Sequence, residues 1–110
     1  MLVESEPTAW AGRSPADLAA SVALLQAVAD PVRWQVLQRL AVEPACVCDI
    51  QEHVPIAANL LSYHLKVLRD TGLVTTSRRG RWIDYALAAD ARDRLNAALP
   101  GAVGGAAATP

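Results

Sequence analysis

Prolines cut this chain into short helical pieces, and that punctuation limits the fold more than any other feature. Proline lacks an amide hydrogen and crowds the preceding turn, so it belongs in a first turn or at a helix end. Ser14-Pro15-Ala16-Asp17 is a start signal in which Ser14 caps and Asp17 meets the positive helix end. Asp30-Pro31 closes that helix and opens the next, and Glu43-Pro44 breaks the second. Pro55 separates a short third piece from a longer fourth, and Pro100 stops the last. Between these stops apolar residues recur at helical spacing. Leu18, Val22, Leu25 and Val28 mark the first helix, and Val32, Val36, Leu37 and Leu40 the second. Ile50 and Val54 face inward from a short helix over 46–54. Leu61, Leu65 and Leu68 form the buried stripe of a helix over 57–71, with Gly72 at its C-terminal cap.

After Gly72 the period changes. Leu73 to Arg78 is rich in β-branched residues, Arg79-Gly80 supplies a turn, and Arg81 to Leu87 returns with Ile83, Tyr85 and Leu87 alternating. A final helix covers 90–99. The expected fold is mainly α with a small β-hairpin, in the order α-α-α-α-β-β-α. A helix-turn-helix followed by a two-stranded ribbon is a winged helix-turn-helix, whose longer helix enters the major groove. The length of 110 residues suits one domain, over 14–99, with a flexible arm over 1–13 that includes Trp10. The Gly/Ala-rich stretch 100–110 reads as a disordered tail. So small a domain gains from dimerisation.

Two cysteines, Cys46 and Cys48, sit one residue apart where the helix-turn-helix begins. A disulfide between them would be strained. Reduced thiols in the cytoplasm are the expectation. No apolar run of about 18 residues is present, so no membrane span is expected, and the acidic N-terminus is not a secretory signal. Thiolates select soft ions, which makes Cys46 and Cys48 candidate ligands for a metal or metalloid. On a helix, residues two apart diverge by about 200°. In an extended segment they project the same way. Capture of one ion by both sulfurs therefore favours an unwound start to the short helix. The alternative is that both cysteines serve as small buried hydrophobes.

The formal net charge is −1, which by itself argues against a nucleic-acid partner. Local charge argues otherwise: Lys66, Arg69, Arg78, Arg79 and Arg81 face only Asp70 between residues 62 and 81. Arg79 and Arg81 flank the hairpin turn, within reach of a DNA backbone or minor groove. Asn59, Leu60, Ser62, Tyr63 and Lys66 lie off the apolar stripe of the longer helix, free to meet phosphates and base edges, with Leu60 suited to a thymine methyl. Ala57 stands where a capping Ser or Thr is usual. Arg33 is expected to pair with Asp30 on the surface, the alternative being a contact to phosphate. Trp82 and Tyr85 lie on opposite faces of the second strand, at least one of them in the core. No phosphate loop, nucleophile elbow or paired-acid constellation points to an enzyme.

Asp30-Pro31-Val32-Arg33, Cys46-Val47-Cys48-Asp49-Ile50, the run from Leu61 to Arg69, Gly72-Leu73-Val74 and Gly80-Arg81-Trp82 together resemble the ArsR/SmtB family of metal-sensing repressors. The resemblance covers roughly residues 18 to 99. It implies a homodimer joined by the first and last helices, which places Leu18, Val22 and Leu25 against Leu95 and Leu99. It also implies repression of a resistance operon, relieved by effector binding. It points most to Ser62 and Tyr63 as DNA contacts and matches His64 to a frequent family histidine that touches phosphate or orients the helix. The cysteine pair is similar to that of the arsenic-responsive branch, which carries a third cysteine where this chain has Gln51. The zinc-type site of the last helix is missing, because no histidine follows His64.

The resulting expectation is a cytoplasmic, dimeric repressor of near-palindromic double-stranded operator DNA. Its expected effector is As(III) or Sb(III), or else Cd(II) or Pb(II). A water, hydroxide or small thiol completes the ligand set, with His53 a minor candidate. Other readings are a winged helix that senses redox state or a non-metal signal, and a protein-interaction module.

Overall fold

The computed structural model describes residues 14–101; the arm expected over 1–13 and residues 102–110 of the expected tail lie outside them. The elements run α1 (Pro15–Val28), α2 (Pro31–Val42), β1 (Ala45–Cys46), α3 (Val47–His53), α4 (Ala58–Asp70), β2 (Val74–Arg79), β3 (Trp82–Leu87) and α5 (Ala91–Ala98). This is a winged helix-turn-helix, mainly helical, with one departure from the expected order. The short helix does not begin at Cys46. Ala45 and Cys46 form a strand that pairs antiparallel with β3, in the register Ala45↔Tyr85 and Cys46↔Asp84. The sheet order is β1-β3-β2. A two-residue strand leaves no period in sequence, so only its partner reveals it.

The caps follow from local chemistry. Ser14 accepts from the Asp17 amide at 3.0 Å while the Asp17 carboxylate accepts from the Ser14 amide at 3.2 Å, a reciprocal capping box. Asp30 opens α2 by accepting from the amides of Val32 and Arg33 at 2.8 and 3.0 Å. These bonds, that from Arg33 foremost, hold the Asp30 carboxyl below its ordinary range. Ala57 starts α4 with no side-chain hydrogen bond. At the other end of α4, Gly72 takes φ +80°, and the amides of Gly72 and Leu73 reach back to the carbonyls of Arg69 and Leu68. That is a Schellman closure, and it needs glycine. Arg94 of α5 adds a bond from Nη2 to the Thr71 carbonyl at 2.7 Å, tying the last helix to the end of α4.

Ile50, Leu61, Leu65, Leu68, Leu73, Val36 and Val54 are fully buried and form the centre of the core. Each such side chain contributes roughly 1.5–3 kcal/mol relative to exposure. The buried face of α1 is Leu24, Ala27 and Val28, with Leu18 and Leu25 half-buried. Apolar residues occupy the other sides of α1 as well, and Val22 is 49% exposed. Leu95 of α5 packs against the core, whereas Leu99 is 45% exposed. Pro100 and Gly101, the first residues of the expected tail, form the turn after α5. Among the described residues no helix is long and apolar enough to cross a membrane.

Candidate nucleic-acid interface and thiol site

The outer face of α4 is polar for a geometric reason. At 100° per residue, Asn59, Ser62, Tyr63 and Lys66 fall on one side and Leu61, Leu65 and Leu68 on the other. The first four are exposed, Tyr63 by 58% of its surface, and the three leucines are buried. Leu60 flanks this face and is also exposed. Lys66 is not free: its Nζ donates to the Asp70 carboxylate at 2.9 Å one turn on.

The wing is a tight hairpin pairing Arg79↔Trp82, Arg78↔Ile83 and Ser77↔Asp84. Of the two loop residues, Gly80 and Arg81, only Gly80 has positive φ, +64°, the pattern of a two-residue loop with glycine first. Arg81 is exposed at the tip. Arg79 folds back along the ribbon, where its Nε and Nη2 donate to the two Asp84 carboxylate oxygens at 2.8 and 2.9 Å. This fork holds the Asp84 carboxyl below and the Arg79 guanidinium above their ordinary ranges. Counting basic residues overlooked Asp84. The hairpin register was the available signal, since it sets Asp84 opposite Ser77, diagonal to Arg79. On the same strand Trp82 is exposed and Tyr85 packs on the core.

Arg33 does not make the expected surface pair with Asp30. Its Nε donates to the Ala27 carbonyl at 2.6 Å, and its Nη1 lies 3.0 Å from His64 Nδ1 on α4. A guanidinium at the α1–α2 corner thus holds a half-buried histidine of the candidate reading helix. Tyr63 meets the same imidazole edge-on, with ring centroids 5.1 Å apart.

Cys46 is extended, at φ −84° and ψ 169°, and Cys48 lies in the first turn of α3. Both thiols are free, Cys46 half-buried and Cys48 exposed. One of the two positions is therefore already outside the helix, and only the turn carrying Val47 and Cys48 separates the pair from a common direction. Gln51, in the place of a third cysteine, donates from Nε2 to the Ile56 carbonyl at 2.9 Å and so staples α3 to the turn before α4. His53 is exposed at the far end of α3, beside Arg39, Asp49 and Glu52. Among the described residues no three His, Cys, Asp or Glu side chains converge as a metal-ion set. With Gln51 in the third place, the donor set at this joint is two thiols and does not fit a three-sulfur site.

Comparison with known proteins agrees with this architecture. Residues 30–76 match the family described as bacterial regulatory protein, arsR family. The arsenical resistance operon repressor of Staphylococcus xylosus is 36% identical over 73 residues, 66% of this chain and 70% of that protein. The protein of the same name from Bacillus subtilis is 38% identical over 63 residues, 56% of this chain and 60% of that protein. The solution structure of a homodimeric winged helix-turn-helix DNA-binding domain from Mycobacterium bovis superimposes with a TM-score of 0.67 at 29% identity, covering 76% of this chain and 82% of that one. The capped α2, the cysteine-bearing joint and the α4 face all fall within residues 30–76, and the chain belongs to the arsR family of bacterial regulatory proteins.

Proposed function

We propose that this chain is a homodimeric transcriptional repressor in the cytoplasm that releases operator DNA when a soft ion, arsenite or antimonite first and cadmium or lead second, binds Cys46 and Cys48. The observation that carries the reading is where those cysteines stand. Cys46 ends β1, which is hydrogen-bonded to wing strand β3. Cys48 lies in the first turn of α3, whose Ile50, with Val54 just past its end, shares the core with Leu61 and Leu65 of α4. One joint therefore borders both elements expected to touch DNA. The polar face of α4 would read a half-site through Asn59, Leu60, Ser62, Tyr63 and Lys66, with His64 at its edge and Arg79 and Arg81 on the adjacent backbone. Leu18, Val22 and Leu25 of α1, with Leu95 of α5 and Leu99 just past its end, supply the apolar surface for the second protomer. The domain is taken as residues 14–99.

Mechanically, sulfurs two residues apart can share an ion only if the first turn of α3 opens. Opening that turn loosens the Ile50 and Gln51 contacts that seat α4. DNA prefers the closed joint and the ion the open one, which is the differential affinity that coupling requires. Coupling of about 1–3 kcal/mol weakens DNA binding roughly 5–150-fold. The test is a DNA mobility titration with arsenite on the wild type, Cys46→Ser and Cys48→Ser. Arsenite should release the wild type alone. Equal release of all the proteins would remove the cysteines from the mechanism.

A second reading has one observation behind it. An apolar groove of about 250 Å³ runs between α2 and α5, bordered by Val28, Trp34, Leu37 and Leu95. An apolar effector seated there would release DNA from a variant lacking both thiols.

A further inference from the structure

We propose that Arg33 is a positioning residue for the reading helix: it fixes His64 as the neutral Nε2–H tautomer and leaves that N–H as the one the ring can offer to DNA. The inference rests on the reading of α4 as the DNA-contacting helix, and it begins with donor inventory. A guanidinium has five N–H donors and no acceptor, and it keeps its proton. His64 Nδ1 lies 3.0 Å from Arg33 Nη1. That distance is a hydrogen bond only if Nδ1 presents a lone pair, so the ring proton sits on Nε2.

Arg33 is itself held in place. Its Nε is bonded to the Ala27 carbonyl at 2.6 Å and its backbone amide to the Asp30 carboxylate at 3.0 Å. The side chain therefore arrives from the α1–α2 corner in a set direction, and the imidazole on α4 is oriented by it. Tyr63, edge-on to the same ring, takes its place from the ring in turn. A bond between α2 and α4 thus reaches the exposed face of the reading helix.

The arrangement has a definite proton dependence. The charged and titratable groups that the structure places against the ring are Arg33 and Asp30 from the α1–α2 corner and Tyr63 from its own helix. When Nδ1 takes a proton from solvent, both ring nitrogens become donors, the Arg33 bond is lost, and two cations stand at the former bonding distance. A histidine that only contributed charge would bind phosphate more tightly in acid. A histidine held by Arg33 does the reverse, because acid releases it.

The test uses the full chain and two readouts. The first is 15N NMR of the imidazoles in the free protein, with exposed His53 as the internal reference. At about pH 8 the ring of His64 should be unprotonated at Nδ1 and protonated at Nε2, and Arg33→Leu should let it mix tautomers. The second is affinity for the duplex that this protein selects from a random pool of about 30 base pairs, long enough for two half-sites. From about pH 8 to about pH 5, wild-type affinity should fall roughly twofold to tenfold relative to His64→Asn, the worth of one hydrogen bond. His64→Asn keeps an acceptor at the Nδ1 position, so it should bind between the wild type and His64→Leu and lose the pH dependence. Three results would overturn the proposal: a His64 ring protonated at Nδ1, wild-type affinity that rises in acid relative to His64→Asn, or His64→Asn binding no better than His64→Leu. Selection of no duplex would defeat the DNA-binding reading itself, and the ring spectrum would still decide the tautomer.

Discussion

Single side chains at the corner between α1 and α2 do work that their sequence neighbours only half announce. The capping role of Asp30 was legible, because Asp-Pro at a break in helical period is a start signal. Its consequence is a stability that depends on pH. The Asp30 carboxyl is lowered in the folded state, chiefly by the Arg33 amide bond. Its contribution is therefore full above the ordinary carboxylate range and is lost as pH falls through the depressed folded value. Asp30→Ala should cost about 1 kcal/mol at neutral pH, and urea unfolding should show the variant and wild type converging in acid. A constant gap across pH would mean that the cap is not charged. The Arg33 contact to His64 is not legible in the sequence for a plain reason. Asp30 lies three residues away in the chain and His64 thirty-one, and a single sequence shows only the near partner. Asp84 escaped notice in the same way until the hairpin register was fixed.

At the scale of elements, the proline stops and apolar periods gave every helix to within a residue or two, since each helix buries one stripe and each boundary carries local turn chemistry. β1 was invisible, because two residues carry no period and owe their strand geometry to β3. That omission matters most at the thiol site: Cys46 was expected inside a helix and is found in a ladder. The start of α4 is the weakest boundary, with Ala57 making no side-chain cap. Ala57→Ser should stabilise the fold by about 0.5–2 kcal/mol, seen as a higher urea midpoint with unchanged slope. The wing offers a test of its own. Arg79 is engaged by Asp84 in the free protein. Asp84→Asn should release it and tighten DNA binding, whereas Arg79→Ala should lower the slope of log affinity against log salt by about one. If both variants leave the slope and affinity untouched, Arg79 serves the hairpin rather than DNA.

For the whole molecule, the apolar outer side of α1 is the outstanding feature. A helix that is apolar all round is normally buried. Here Val22 and Leu99 remain open in the single chain. Val22→Glu should shift sedimentation from dimer to monomer while leaving the buried α1 face of Leu24, Ala27 and Val28 intact. A dimer that survives the change places the interface elsewhere. With two protomers joined through α1 and α5, the Arg94 bond to the Thr71 carbonyl would tie each interface helix to the end of its own reading helix. The proposed switch is a single joint, where a bound ion and bound DNA would require different backbones. Amide hydrogen exchange of the protein with and without arsenite examines that joint directly, through Gln51 and Glu52, whose helical partners are the carbonyls of Val47 and Cys48. Protection of those two amides should fall on arsenite binding in the wild type and stay constant in Cys48→Ser. Protection that persists in the arsenite-loaded wild type would contradict the account.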